Sequence, residues 1–196
     1  MVRTTYFCAM ARTLTTQIPL GFNAPAFSLP DTVSGEMKSF ADLRGEKGTV
    51  VMFICNHCPY VIHVRQELIR VAKDYREKGI GFIAISSNDV VNYPQDGPEE
   101  MKKLAVEEDF PFPYLYDESQ EVAKAYDAAC TPDFSVFDAN DICVYRGQLD
   151  GSRPGSGVPV TGEDLRRTLD EIVAGVTPSP EGQIPSMGCN IKWKES

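Results

Sequence analysis

Along this chain, unbroken apolar runs alternate with stretches whose apolar residues recur every three or four positions, and that alternation predicts the architecture. Thr49-Val50-Val51-Met52-Phe53-Ile54 is a continuous β-rich run, the pattern of a strand buried on both faces. Val61, Ile62, Leu68, Ile69, Val71, Ala72 and Tyr75 then follow at helical spacing up to Lys78, with Gly79 as the stop. Ile80 to Ser87 repeats the buried-strand pattern. Strand, helix and strand in this order form a βαβ unit, so the sheet is at least partly parallel and its crossover right-handed.

The flanking patterns extend this unit. Residues 21–31 read as a strand ended by Pro30, and Thr32 to Gly35 turn the chain into a second short strand around Met37 to Phe40. A polar loop covers Asp89 to Gly97, and Pro98-Glu99-Glu100 opens a helix running to about Glu108. Phe110 to Tyr116 is an aromatic segment broken by prolines, and Ser119 to Ala129 reads as a short amphipathic helix. Residues 134–137 and 142–145 are strands joined by the turn residues Asp138 to Asp141. After a glycine-rich loop, Gly151 to Gly157, Thr161 is expected to cap a last helix with Asp164 as its box partner. The reading gives an N-terminal arm (1–20), one α/β domain (21–178) and a C-terminal tail (179–196).

Composition narrows the function classes. The 196 residues are 42% hydrophobic, enough to bury a core without disulfides or metal. No apolar run approaches the roughly 18 residues of a membrane helix. Net charge is −9, most acids fall after residue 90, and Lys and Arg form no cluster, so nucleic acid is not an expected partner. The first 30 residues lack Asp and Glu, yet Tyr6 to Ala11 is too short for a secretory apolar region, and the expected location is the cytoplasm.

Six cysteines are few for a disulfide scaffold of this length, and only Cys55 and Cys58 are spaced as Cys-x-x-Cys. Such a pair, set where a buried strand gives way to a helix, has a chemical consequence. Unpaired N–H groups and the macrodipole at the helix mouth favour a thiolate, which is the nucleophile in disulfide exchange. Sites of this kind bring a thiol to about 3.5–7.5. This makes Cys55 the expected attacking residue, Cys58 the resolving one, and His57 a cation that would steady the thiolate.

The strand, Cys55-Asn56-His57-Cys58-Pro59 at a helix start, and Cys130-Thr131-Pro132 before a hairpin resemble the thioredoxin superfamily. Ala24-Pro25-x-Phe27-x-Leu29 and the βαβ layout are similar to its redoxin branch, the peroxiredoxin-like AhpC/TSA type. The resemblance implies a thioredoxin fold: a central mixed sheet flanked by helices on both faces, with an N-terminal hairpin. It implies a thiol–disulfide oxidoreductase that needs no cofactor and acts on protein or low-molecular-weight disulfides and thiols. It further implies a cis Thr131–Pro132 bond packed on the dithiol and, with Asn56 and Pro59, shaping a substrate groove. The chain departs from thioredoxins in having Ile54 where they carry Trp, and no acid in Gly48 to Ile54 to assist proton transfer. Peroxiredoxins place Thr or Ser three residues before their reactive cysteine; here that position holds Met52. A thiol peroxidase is the alternative reading, and a non-catalytic adaptor of the same fold is a third.

Other candidates carry bland readings beside functional ones. Cys130 and Cys189 are possible further redox thiols, or packing residues; Cys143, inside a strand, reads as core. Metal binding by Cys55, His57 and Cys58 is not expected, because neighbouring positions in one turn give poor tetrahedral geometry. His63 reads as a solvated or capping histidine, and residues 151–157 as a flexible rim rather than a phosphate cradle.

Overall fold

The computed structural model describes residues 12–195, so Cys8 and most of the expected N-terminal arm lie outside the described residues. In chain order the elements are β1 (Arg12–Leu14), β2 (Ser28–Pro30), β3 (Met37–Ser39), α1 (Phe40–Leu43) and β4 (Gly48–Phe53). There follow α2 (Pro59–Arg76), β5 (Ile80–Ser86), a 3-10 turn at Pro94–Asp96, α3 (Pro98–Glu107) and β6 (Tyr114–Tyr116). The rest are α4 (Glu121–Ala125), β7 (Cys130–Thr131), β8 (Asp133–Asp138), β9 (Cys143–Gly147), α5 (Glu163–Val173) and β10 (Met187–Asn190).

Five strands form the central sheet in the order β6-β5-β4-β8-β9. β4 and β5 run parallel, as do β5 and β6, while β8 joins β4 antiparallel and β9 closes the hairpin. The sheet is therefore mixed. Alternation along β4 explains its two covers. Val50 and Met52 face one core with Val61, Leu68 and Leu169 from α2 and α5, whereas Val51 and Phe53 face another with Phe27, Phe40 and Tyr126. β2 and β3 form the expected N-terminal hairpin.

Local differences from the pattern have physical causes. β6 hides in the aromatic segment, where Pro111 and Pro113 broke the strand signal. α4 is only five residues long, ended by Tyr126 and by Asp127 at φ 49°. Thr161 does not cap α5. Its N-cap is Gly162 at φ 68°, a conformation that disfavours a side chain, and the carboxylate of Asp150 accepts the N–H groups of Thr161 and Gly162 at 2.7 Å each. Residues 151–157 are pinned at one end rather than forming a loose rim. Asp150 also accepts from Ser152 N, Ser152 Oγ meets His63 Nε2 at 2.8 Å, and Arg153 bonds the carbonyls of Asp150 and Ser152.

The described part of the arm and the tail are not appendages. β10 is the middle strand of a second sheet, β1-β10-β7, antiparallel to both neighbours. No helix among the described residues is long and apolar enough to cross a membrane.

Candidate functional site: a thiol cluster at the mouth of α2

β4 ends at Phe53 and α2 starts at Pro59, whose fixed φ and missing N–H suit a first helical position. The residues between them bend back beneath β7. Cys58 is the N-cap of α2, and its carbonyl accepts the amide of Ile62 at 2.9 Å. The Thr131–Pro132 bond is cis, and Thr131 meets both cysteines of the motif: its hydroxyl lies 3.4 Å from Cys55 Sγ and its carbonyl oxygen 3.1 Å from Cys58 Sγ. Pro132 stays beside a narrow cleft of about 20 Å³, lined among others by Tyr60, His63, Gln148 and Met187.

A third sulfur completes the cluster. Cys189 of β10 sits opposite Thr131 in the ladder, and its Sγ is 2.8 Å from Cys58 Sγ. All three thiols are closed off, at 1%, 0% and 2% exposure for Cys55, Cys58 and Cys189. The covering is a close fit of backbone on backbone: a Cβ on Gly188 would stand 2.0 Å from the Thr131 carbonyl oxygen.

The charge distribution corrects the sequence expectation. The helix mouth belongs to Cys58, not to Cys55, because the N-cap of α2 lies three residues after the first cysteine rather than at it. The Cys58 thiol is lowered, first by the hydrogen bond from Cys189, then by that from Cys55, with the Thr131 hydroxyl and the Val61 amide adding to them against the cost of burial. Cys55 is raised well above an ordinary thiol, first by donating to Cys58, then by burial and by the negative charge of Asp96. Cys189 is raised for the same first two reasons. The three sulfurs thus titrate as one unit whose charge rests on the central one.

Asp96 is the residue that sequence reasoning missed. It comes from the 3-10 turn and is fully buried. Its carboxylate accepts the amides of Asn56 (2.8 Å) and His57 (3.3 Å), His57 Nδ1–H (2.6 Å) and Asn88 Nδ2 (2.8 Å). It thereby supplies a buried acid beside the dithiol from a different segment than Gly48 to Ile54. His57 also stacks on Tyr93 at 5.5 Å. The Asn88 amide is shared, because its oxygen accepts the Lys192 amide at 2.8 Å and so ties the tail to the His57–Asp96 pair.

The other sequence candidates fall as follows. Asn56 is engaged from both ends of its side chain, donating to Gln95 O and accepting from Tyr114 Oη. Cys130 points away into contacts with Thr15 Oγ1 and Pro132 O, and burial pushes its thiol up strongly. Cys143 is core, raised by burial to about 12. Cys55, His57 and Asp96 place metal-ligand atoms within 4.8 Å of one another, although Asp96 is already fully used by its four donors.

Comparison with known proteins covers this frame. A Geobacillus kaustophilus protein of unassigned function is similar in structure, with 57% identity, coverage of 95% of this chain and 98% of its own, and a TM-score of 0.93. A Mycobacterium tuberculosis protein whose name provisionally classes it as a peroxiredoxin is 31% identical over 116 residues, 59% of this chain and 68% of its own. The thioredoxin domain of a Bacteroides vulgatus thiol-disulfide oxidoreductase shares the fold at 21% identity, a TM-score of 0.62, and coverage of 80% of this chain and 99% of its own. The AhpC/TSA family matches residues 20–146, a span that holds the hairpin, the βαβ unit, the dithiol and the cis proline, so this thioredoxin-fold chain belongs to the AhpC/TSA family of redoxins.

Proposed function

We propose that the chain is a thiol–disulfide oxidoreductase working through Cys55 and Cys58. The observation that carries this reading is the seating of both sulfurs on Thr131, with Cys55 hydrogen-bonded to a Cys58 whose thiolate is favoured. Cys55 Sγ attacks one sulfur of the substrate disulfide, its proton passes to the Cys58 thiolate, and the first substrate thiolate leaves. Cys58 then attacks Cys55 Sγ, the mixed disulfide breaks, and the Cys58 proton goes to the departing second thiol. Two electrons move from the dithiol to the substrate. In this reading His57, held by Asp96, presents its Nε2 edge to the departing thiolate. Pro59, Asn56, Thr131 and Pro132 shape the approach.

The test is insulin reduction together with equilibration in glutathione buffers, with the Cys55–Cys58 disulfide measured by mass spectrometry. Replacing Cys55 by Ser should abolish both signals; wild type and variant behaving alike in both assays, with insulin reduced by neither, would leave an adaptor role instead.

A peroxidase reading has one observation in its favour: the Thr131 hydroxyl stands at Cys55 Sγ, supplying from β7 the group absent at Met52. Rapid oxidation of Cys55 by dilute hydrogen peroxide, faster than exchange with disulfides, would rank it first.

A further inference from the structure

We propose that Cys189 is a third redox thiol of this site and the exchange partner of Cys58, so that oxidised protein partitions between a Cys55–Cys58 and a Cys58–Cys189 disulfide. The inference deepens the dithiol reading and rests on it for its source of oxidising equivalents. Three observations on separate parts of the chain carry it. The sulfurs of Cys58 and Cys189 are 2.8 Å apart, so reaching a disulfide bond of about 2.05 Å needs roughly 0.8 Å of closure. The strand bearing Cys189 is held on both sides, by β1 and by β7, and beyond it Ile191, Lys192 and Lys194 donate their amides to Ala129 O, Asn88 Oδ1 and Gln120 Oε1. Gly188 brings the strand so near Thr131 that a side chain there has no room.

The step needs no further reagent. Once a substrate has oxidised the dithiol, Cys189 Sγ attacks Cys58 Sγ; the Cys58–Cys189 bond forms, the Cys55–Cys58 bond breaks, and the Cys189 proton moves to the departing Cys55 sulfur. Cys55 returns to the thiol state while the oxidising equivalents stay on Cys58 and Cys189. The same bond fastens β10 covalently across the site, so the oxidised chain is closed and the reduced chain can open.

The experiment uses the full chain with Cys55 replaced by Ser, a side chain that keeps a hydroxyl toward Thr131, and Cys55→Ala as a second variant. Each is treated with oxidised glutathione, quenched in acid, capped with N-ethylmaleimide and mapped by mass spectrometry without reduction. The Cys58–Cys189 peptide pair should dominate in both, and wild-type protein should give both pairs. Circular dichroism confirms the fold. Folded variants that carry glutathione on Cys58 with no Cys58–Cys189 pair overturn the inference. If wild type then still forms Cys55–Cys58, the dithiol reading survives alone. If wild type forms only Cys58–Cys189 and does not reduce insulin, the dithiol reading fails and the tail thiol stands. In Cys189→Ala, the second pair should vanish and the oxidised protein should carry Cys55–Cys58 alone, so its Cys55 should alkylate at least tenfold less than in oxidised wild type, where Cys189 releases Cys55 as a thiol.

Discussion

Cys58 and Cys143 are equally hidden, at 0% and 1% exposure, yet their thiols move in opposite directions. Cys143 lies in β9 within the core that Phe137 and Tyr126 fill, and its sulfur has the Tyr145 carbonyl 3.6 Å away. That carbonyl can only accept; the Arg146 charge and the Tyr145 backbone favour a negative sulfur, but burial outweighs both and pushes the thiol up to about 12. Cys58 suffers the same burial and also faces a carbonyl, that of Thr131 at 3.1 Å, but donors from three segments outweigh both: Cys55 before it, Val61 after it, and Cys189 from the tail. Burial sets the penalty, and the donors set the sign. What distinguishes a reactive cysteine from an inert one in this protein is the company it keeps, and most of that company is remote in sequence.

The largest expected effect separates the two directly. Replacing Cys58 by Ala should cut disulfide exchange by about a thousandfold, whereas Cys143→Ala should leave exchange unchanged and cost about 1 kcal/mol of stability. Insulin reduction and urea unfolding read the two quantities, and a matching loss of activity in Cys143→Ala would break the contrast.

The pH dependences should also be opposite. Cys143 has its folded value raised from 9.0 to about 12, so its contribution to stability is complete below pH 9 and is lost as pH rises toward 12, a change of up to about 4 kcal/mol. Cys58 has its folded value lowered, so its contribution is complete above pH 9 and fades as pH falls. Urea melts of wild type against each alanine variant, followed from acid to alkaline pH, should therefore give stability differences of opposite slope; parallel slopes would show that the donors around Cys58 are not acting as described.

Asp96→Asn removes the charge that four donors converge on, at an expected cost of roughly 2–4 kcal/mol. The same change lifts the negative potential from Cys55, so its alkylation midpoint should move to lower pH. An unmoved Cys55 profile in a folded Asp96→Asn protein would take Asp96 out of the site's electrostatics.

The smallest effect tests the tail. Gly188→Ala forces a Cβ onto the Thr131 carbonyl, which is backbone and cannot swing aside, and should cost about 1–3 kcal/mol. If β10 shifts, Cys58 loses its first donor, and its alkylation profile should rise toward that of an ordinary thiol. A stable variant with an unchanged profile would mean that the tail contributes packing alone.

The parts legible in the sequence are those whose signals are local and periodic. The runs of β4 and β5, the spacing along α2 and the Cys-x-x-Cys with its following proline all lie within residues 48–86, and the structure has them close to where the pattern put them. The cis Thr131–Pro132 pair is legible through the resemblance to the thioredoxin superfamily, which implies such a bond before the hairpin and against the dithiol. Asp96 could not, since it is one acid among several in a polar loop and its role depends on the 3-10 turn placing it under His57. Nor could β10. Met187-Gly188-Cys189-Asn190 has neither alternation nor β-branched residues, and it is a strand because β1 and β7 bracket it. The motif places the thiolate on Cys55 by setting that residue at the helix mouth; the N-cap of α2 lies three residues further on, and that shift moves the mouth to the other sulfur.

One consequence follows from β10 lying in the middle of its sheet. An edge strand can fray from one side, a little at a time, but a middle strand must break two ladders to leave either neighbour. Departure of this segment is therefore a single concerted event, and reagents can meet the hidden sulfurs only during such excursions. At high reagent concentration the rate of modification should stop rising and level off at the frequency of the excursions, a ceiling set by the fold rather than by the chemistry of sulfur.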